Sequence, residues 1–196
     1  MAKVQGPLFS VDARGKIGNS LVFMGWRGIK TVRSYAVPSN PNTPAQIEVR
    51  QRFTKATQLW GKLTGKDQQA WRASASGQEF SGFNDLVKRA KDIYDEDGAW
   101  VLFSDAAESA VTVDSATITI NGDVDQSSII RYGNTAGSYA NSMPMTVGAI
   151  VGSKYPFTAD LTGLPTNSPV YYIVEIVDAA GFAGRSGEYS FSTPSV

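Results

Sequence analysis

The chain has 196 residues, with 18 Lys and Arg balancing 18 Asp and Glu, and contains neither cysteine nor histidine. Without cysteine there are no disulfides, thiolate nucleophiles, zinc–thiolate sites or iron–sulfur clusters, and without imidazole a Ser-His-Asp triad or an H-E-x-x-H site cannot be built. The neutral total hides an asymmetry: residues 1–62 carry 10 basic against 2 acidic residues, whereas 101–196 carry 3 against 9, which points the N-terminal part toward a negatively charged partner, either nucleic acid or an acidic protein surface.

Gly15 to Tyr35 reads as a β-hairpin. Ile17, Leu21, Phe23, Trp26, Ile29 and Val32 supply its apolar positions, and Gly25 and Gly28 the backbone freedom for a reversal. Lys16, Arg27, Lys30 and Arg33 punctuate that run, so cations and aromatics are expected on one exposed surface suited to docking. An ordinary half-buried ribbon with a basic polar face is the alternative. Trp26, with Gly25 and Arg27 beside it, is the candidate anchor for a partner. Pro38, Pro41 and Pro44 then block helix and remove ladder donors, so this arm is predicted to run extended along a surface.

Helical signals follow. Thr43 as N-cap, Pro44 at the first helical position and Gln46 three residues on predict a helix start, with Val49, Phe53, Ala56, Trp60 and Leu63 as a core stripe. Thr64 to Asp67 repeats the capping logic for a second, short helix carrying Ala70 and Trp71. Ser81 caps a third, with Phe83, Leu86, Val87, Ala90 and Tyr94 on one face. Gly61 to Lys66 has the wrong order for a phosphate-binding loop and reads as a helix–helix turn. Asp95-Glu-Asp-Gly fails as a calcium loop, because Ile93 and Ser104 stand at the first and last ligand positions, and reads as a solvated boundary turn.

Beyond about residue 104 the texture becomes short β-rich runs, at 111–113, 116–120, 129–132, 157–161, 170–177 and 189–192, separated by turn signals. Asp123 and Asp125 flank a turn and read as solvated acids rather than calcium ligands. The fold class expected is an α+β module of β-ribbon plus about three helices over 1–104, followed by an all-β immunoglobulin-like sandwich over 105–196.

Two resemblances sharpen this. Ser128-Ile-Ile-Arg-Tyr-Gly, Phe157-Thr-Ala-Asp-Leu-Thr-Gly-Leu-Pro, Val170-Tyr-Tyr-Ile-Val and Ser186-Gly-Glu-Tyr-Ser-Phe-Ser-Thr-Pro resemble successive strands of a fibronectin type III domain. That resemblance implies that Tyr172, on a face with Val170, Val174 and Ile176, is a corner tyrosine bonding backbone. Over residues 6–90, Gly15-Lys-Ile-Gly-Asn, Trp26-Arg-Gly, Val32-Arg-Ser, Asn40-Pro-Asn-Thr-Pro-Ala-Gln, Arg50-Gln-Arg-Phe, Trp71 and Ser81-Gly-Phe-Asn resemble small phage and prophage virion-structural proteins.

The function these readings imply is a non-enzymatic structural component of a tailed-phage particle, on the capsid exterior, at the head–tail junction or in the tail. Such a protein is made in the host bacterial cytoplasm and resides in the virion. Its partners would be other virion proteins and further copies of itself, met through Lys16, Trp26, Arg27, Lys30, Arg33, Pro38, Pro41 and Pro44. No cofactor or metal is expected. No apolar run approaches the roughly 20 residues of a membrane span and residues 1–7 lack an apolar signal region, so no membrane partner is expected. A second reading has the sandwich bind host-surface glycan through Tyr132, Tyr139 and Tyr155; a third has the basic ribbon bind nucleic acid.

Overall fold

A computed structural model of the chain describes residues 15–26, 29–37, 39–176 and 181–195. The chain divides into two compact units, Met1–Thr43 and Pro44–Val196.

In the first unit β1 (Gly15–Ile17), β2 (Leu21–Trp26) and β3 (Ile29–Ser34) form an antiparallel sheet in the order β1-β2-β3. The hairpin between β2 and β3 was expected; the first strand was not. Gly18, at φ +53°, makes the reversal into β2, while Gly25 lies inside β2 opposite Lys30. The β2–β3 register closes with Trp26 opposite Ile29, across residues 27 and 28, which lie outside the described residues. After Ser34 the described part of the proline-rich arm has no regular structure and is mostly exposed, as its prolines dictate.

The second unit opens with α1 (Pro44–Lys62), α2 (Gly65–Ser74) and α3 (Gly82–Asp95). α1 begins at the proline that the sequence put at its first position. Thr64 and Asp67 form a reciprocal capping box on α2, and the Ser81 hydroxyl accepts the Asn84 N–H on α3. Ala56 and Leu59 of α1, and Leu63 just after it, pack with Trp71, Leu86, Val87 and Ala90, and with Trp100 and Leu102 from the following segment.

Only the C-terminal half of the α1 stripe is core. Arg52 donates to the Asp95 carbonyl at 2.9 Å and pairs with the Asp97 carboxylate at 2.7 Å, where α3 ends. Val49 and Phe53, expected inside, flank that point and are 54% and 50% exposed. The acidic turn at 95–97 is accordingly an anchor for Arg52.

The sandwich comprises β5 (Phe103–Ser109), β6 (Ser115–Gly122), β7 (Ser128–Gly133), β8 (Asn141–Pro144), β9 (Thr146–Val147), β10 (Tyr155–Thr162), β11 (Pro169–Ile176) and β13 (Tyr189–Ser192). A further pair, β4 (Ala99–Trp100) with β12 (Phe182–Ala183), runs parallel beside it. One sheet has the order β5-β6-β10-β9 and the other β13-β11-β7-β8. Lettering the strands A, B, C, C′, D, E, F and G along the chain gives A-B-E-D against G-F-C-C′, the immunoglobulin-like, fibronectin type III-like arrangement. Alternation drives it: along β6 every second residue is buried, including Ala116, Ile118 and Ile120. The run at 111–113 is a turn instead of a strand, with Ala110 at φ +47° and Thr112 bonded to Ser115.

The expected boundary at 104 is replaced by one between Thr43 and Pro44. The cause is α2, which is part of the sandwich wall. Ala70 belongs to the sandwich core, Glu188 N–H donates to the Ala70 carbonyl at 3.0 Å, and a Cβ on Gly187 would sit 2.4 Å from Ala70 backbone. Asp67, wholly buried, accepts the Tyr189 hydroxyl at 2.6 Å and the Asp105 N–H at 3.0 Å. Tyr172 is inward and fully buried as expected, but its hydroxyl donates to Glu108 at 2.6 Å, not to backbone.

Candidate docking surface

Among the described residues of the ribbon no side chain is buried. Because paired residues of an antiparallel ladder share a face, the register sorts the side chains. Ile17, Leu21, Phe23 and Val32 fall on one face, and Lys16, Val22 and Arg33 on the other. On the apolar face Ile17 is 37%, Leu21 40% and Val32 55% exposed. An isolated small sheet is marginal in water unless an apolar face is covered, and here one is presented to solvent. Cations and apolar residues are not segregated by face: Val22 and Met24 share the face of Lys16 and Arg33, and Lys30 pairs with Gly25 at a backbone position on the face of Phe23 and Val32.

Of the predicted contact residues, Lys16 places its ammonium 3.7 Å from the centroid of the Tyr35 ring, a cation–π contact that fixes its position at the sheet surface. Arg33 is exposed in β3 opposite Val22. Trp26 and Lys30 lie in β2 and β3 by backbone; their side chains, like Arg27 and Pro38, fall outside the described residues. Pro41 is exposed in the arm and Pro44 is exposed as the first residue of α1. Sequence reasoning missed the projecting start of α1, where residues 44–51 are all exposed; its signal was present, since the apolar stripe of α1 runs longer than α3 can cover.

The charge asymmetry has a structural counterpart. All three cations of residues 101–196 are already paired: Arg131 and Arg185 with Glu175, and Lys154 with Asp105. Asp114, Asp125 and Asp160 remain exposed without a cation partner among the described residues. Asp123 is structural, its carboxylate accepting the Leu102 N–H at 2.9 Å. Tyr132 and Tyr155, expected as exposed platforms, are packed against the sandwich core. Among the described residues no group of acidic side chains could hold a metal ion, and no helix is long and apolar enough to cross a membrane.

No protein-family model and no curated protein matches this chain. Similar solved structures are β-sandwiches at low similarity. A computationally redesigned β-sandwich protein is 15% identical, covering 47% of this chain and 88% of its own, with a TM-score of 0.37. The sensor domain of the anti-sigma factor RsgI4 of Pseudobacteroides cellulosolvens is 16% identical, covering 49% and 96%, with a TM-score of 0.34. A structure described as a myokine is 13% identical over 46% and 93%, with a TM-score of 0.35.

Proposed function

We propose that this chain is a non-enzymatic structural component of a tailed-phage particle, attached to a neighbouring copy of itself through its N-terminal ribbon. The observation that carries this reading is the exposed apolar face of the ribbon, with Ile17, Leu21 and Val32 open to solvent. An apolar face on a sheet whose described side chains are all at least partly exposed marks an interaction surface. The occupant is a second copy because the chain is electrically self-complementary. Exposed Arg33, Lys55 and Lys62 lie in its basic first third, and the unmatched Asp114, Asp125 and Asp160 lie in its sandwich. Ribbon of one copy against sandwich of the next is a head-to-tail contact, the kind that generates rings when the rotation closes.

The unit Pro44–Val196 is then what the attachment carries. The resemblance of residues 6–90 to virion-structural proteins supplies the setting, capsid exterior, junction or tail, with the proline-rich arm as the segment ordered along a neighbour. Leu21→Asp with Val32→Asp puts two charges on the apolar face while leaving residues 44–196 untouched. The doubly substituted chain is expected to fold and to be absent from purified particles; its normal incorporation would refute the reading.

A further inference from the structure

A cleft of about 600 Å³ opens within the second unit, between the connection joining α2 to α3 and the β7–β8 connection of the sandwich. Gln78 and Phe80 line it on the helical side with Asp85 and Arg89 of α3; Tyr139, Arg185 and Glu188 line it on the sandwich side. We propose that this cleft binds a neutral glycan of one or two sugar rings.

Charge makes the first cut among ligands. Two arginines and two carboxylates balance across the cleft, and Arg89 is tied through Nε to Asp85 Oδ1 at 2.9 Å. Glu188, 6% exposed, is held through Oε2 by the Tyr139 hydroxyl and by the Gly137 N–H at 2.6 Å. A phosphate or carboxylate ligand needs surplus positive charge and a cation needs surplus negative charge. The cleft supplies neither.

Hydrogen-bonding capacity makes the second cut. Arg89 spends only Nε on Asp85, which leaves its terminal amino groups as donors; Glu188 spends only Oε2, which leaves Oε1 as an acceptor. Gln78 adds an amide with both donor and acceptor. Planar groups that offer fixed pairs of donors and acceptors match the adjacent hydroxyls of a sugar ring. The third feature is Phe80, 44% exposed at the cleft. Its apolar ring meets the C–H face of a pyranose as it could not meet a uniformly polar ligand. The volume lies within the few hundred to about 1,000 Å³ of small-molecule sites, room for one or two rings. The tyrosines first suspected of sugar contact are therefore replaced: Tyr132 and Tyr155 serve the core, and Tyr139 acts by holding Glu188.

The test is a glycan array probed with the full chain, followed by saturation-transfer NMR on the hits with Phe80→Ala and Gln78→Ala, both in the connecting segment and checked for folding by circular dichroism. Neutral hexose or N-acetylhexosamine glycans are expected to bind, with affinity at least about tenfold weaker in Phe80→Ala and measurably weaker in Gln78→Ala. Absence of any neutral hit, hits confined to sulfated or sialylated glycans, or binding undiminished in both variants would overturn the assignment. The ribbon variants are expected to bind glycan normally, so this result stands or falls apart from the assembly reading.

Discussion

The phenol of Tyr189 donates to the carboxylate of Asp67 at 2.6 Å, joining the first turn of α2 to the last strand of the sandwich across 122 positions of chain. Asp67 is wholly buried and also accepts from the Asp105 N–H and from the Thr64 backbone and hydroxyl. One side chain thus closes the cap of a helix and fastens that helix into the wall of a sheet. Substituting Asp67→Ala removes both roles. A loss of about 2–4 kcal/mol is expected from the cap and the orphaned donors together, read by urea denaturation. Helix and sandwich signals should still unfold together, since α2 places Ala70 in the sandwich core and Trp71 in the helical one.

Alkaline pH tests the same region. Burial foremost, and then bonds to Glu108 and Asp67, push the hydroxyls of Tyr172 and Tyr189 above the ordinary tyrosine value of 10.0. A raised folded-state pKa stabilises in full below the unfolded value and is lost as pH rises beyond it. Stability from these groups should therefore be flat through neutral pH and fall above about pH 10. Tyrosinate absorbance should rise together with unfolding, and Tyr172→Phe should lessen the fall.

The acid side has the opposite sign. A hydrogen bond from the Lys154 ammonium is the main influence holding Asp105, a residue whose backbone sits at φ +56°, below its ordinary value of 3.8. Its contribution is present above about pH 4 and disappears as pH falls through the lowered pKa. Lys154→Met should move the Asp105 carboxyl titration, followed by carbon NMR, back toward the ordinary range.

Gly187 has no room for a side chain. A Cβ there would lie 2.4 Å from the Ala70 carbonyl carbon and the Trp71 nitrogen, both backbone. Gly187→Ala should cost about 1–3 kcal/mol by forcing α2 away from the sandwich, visible as a lowered thermal midpoint. Gly163→Ala meets no atom within 4 Å and loses only the ease of its positive φ, so the pair separates crowding from backbone strain.

Local chemistry made much of this architecture readable. Pro44, Thr64 and Ser81 marked helix starts that the structure has at those positions, and alternation in β6 and β10 fixed which faces turn inward. What stayed hidden depends on distant partners. Asp67 reads as a cap from its neighbours, and nothing near it announces Tyr189. Val49 and Phe53 look like core because they extend the stripe of Ala56 and Leu63; their exposure follows from where α3 stops, marked by Arg52 against Asp95 and Asp97. The cleft proposed for glycan was invisible for the same reason, since Phe80 and Glu188 come to line it only after α2 has docked. On the ribbon, the apolar and basic residues were legible, but which of them share a face required the register.

The central claim is that the ribbon is a surface for another copy of this chain, and sedimentation velocity of the full chain over a wide concentration range tests it most directly. Wild type is expected to shift to larger species as concentration rises, more so at low than at high salt, while Leu21→Asp with Val32→Asp stays monomeric with an unchanged circular dichroism spectrum. A wild-type chain that remains a single monomeric boundary at every concentration, or a doubly substituted chain that associates equally well, would contradict the account.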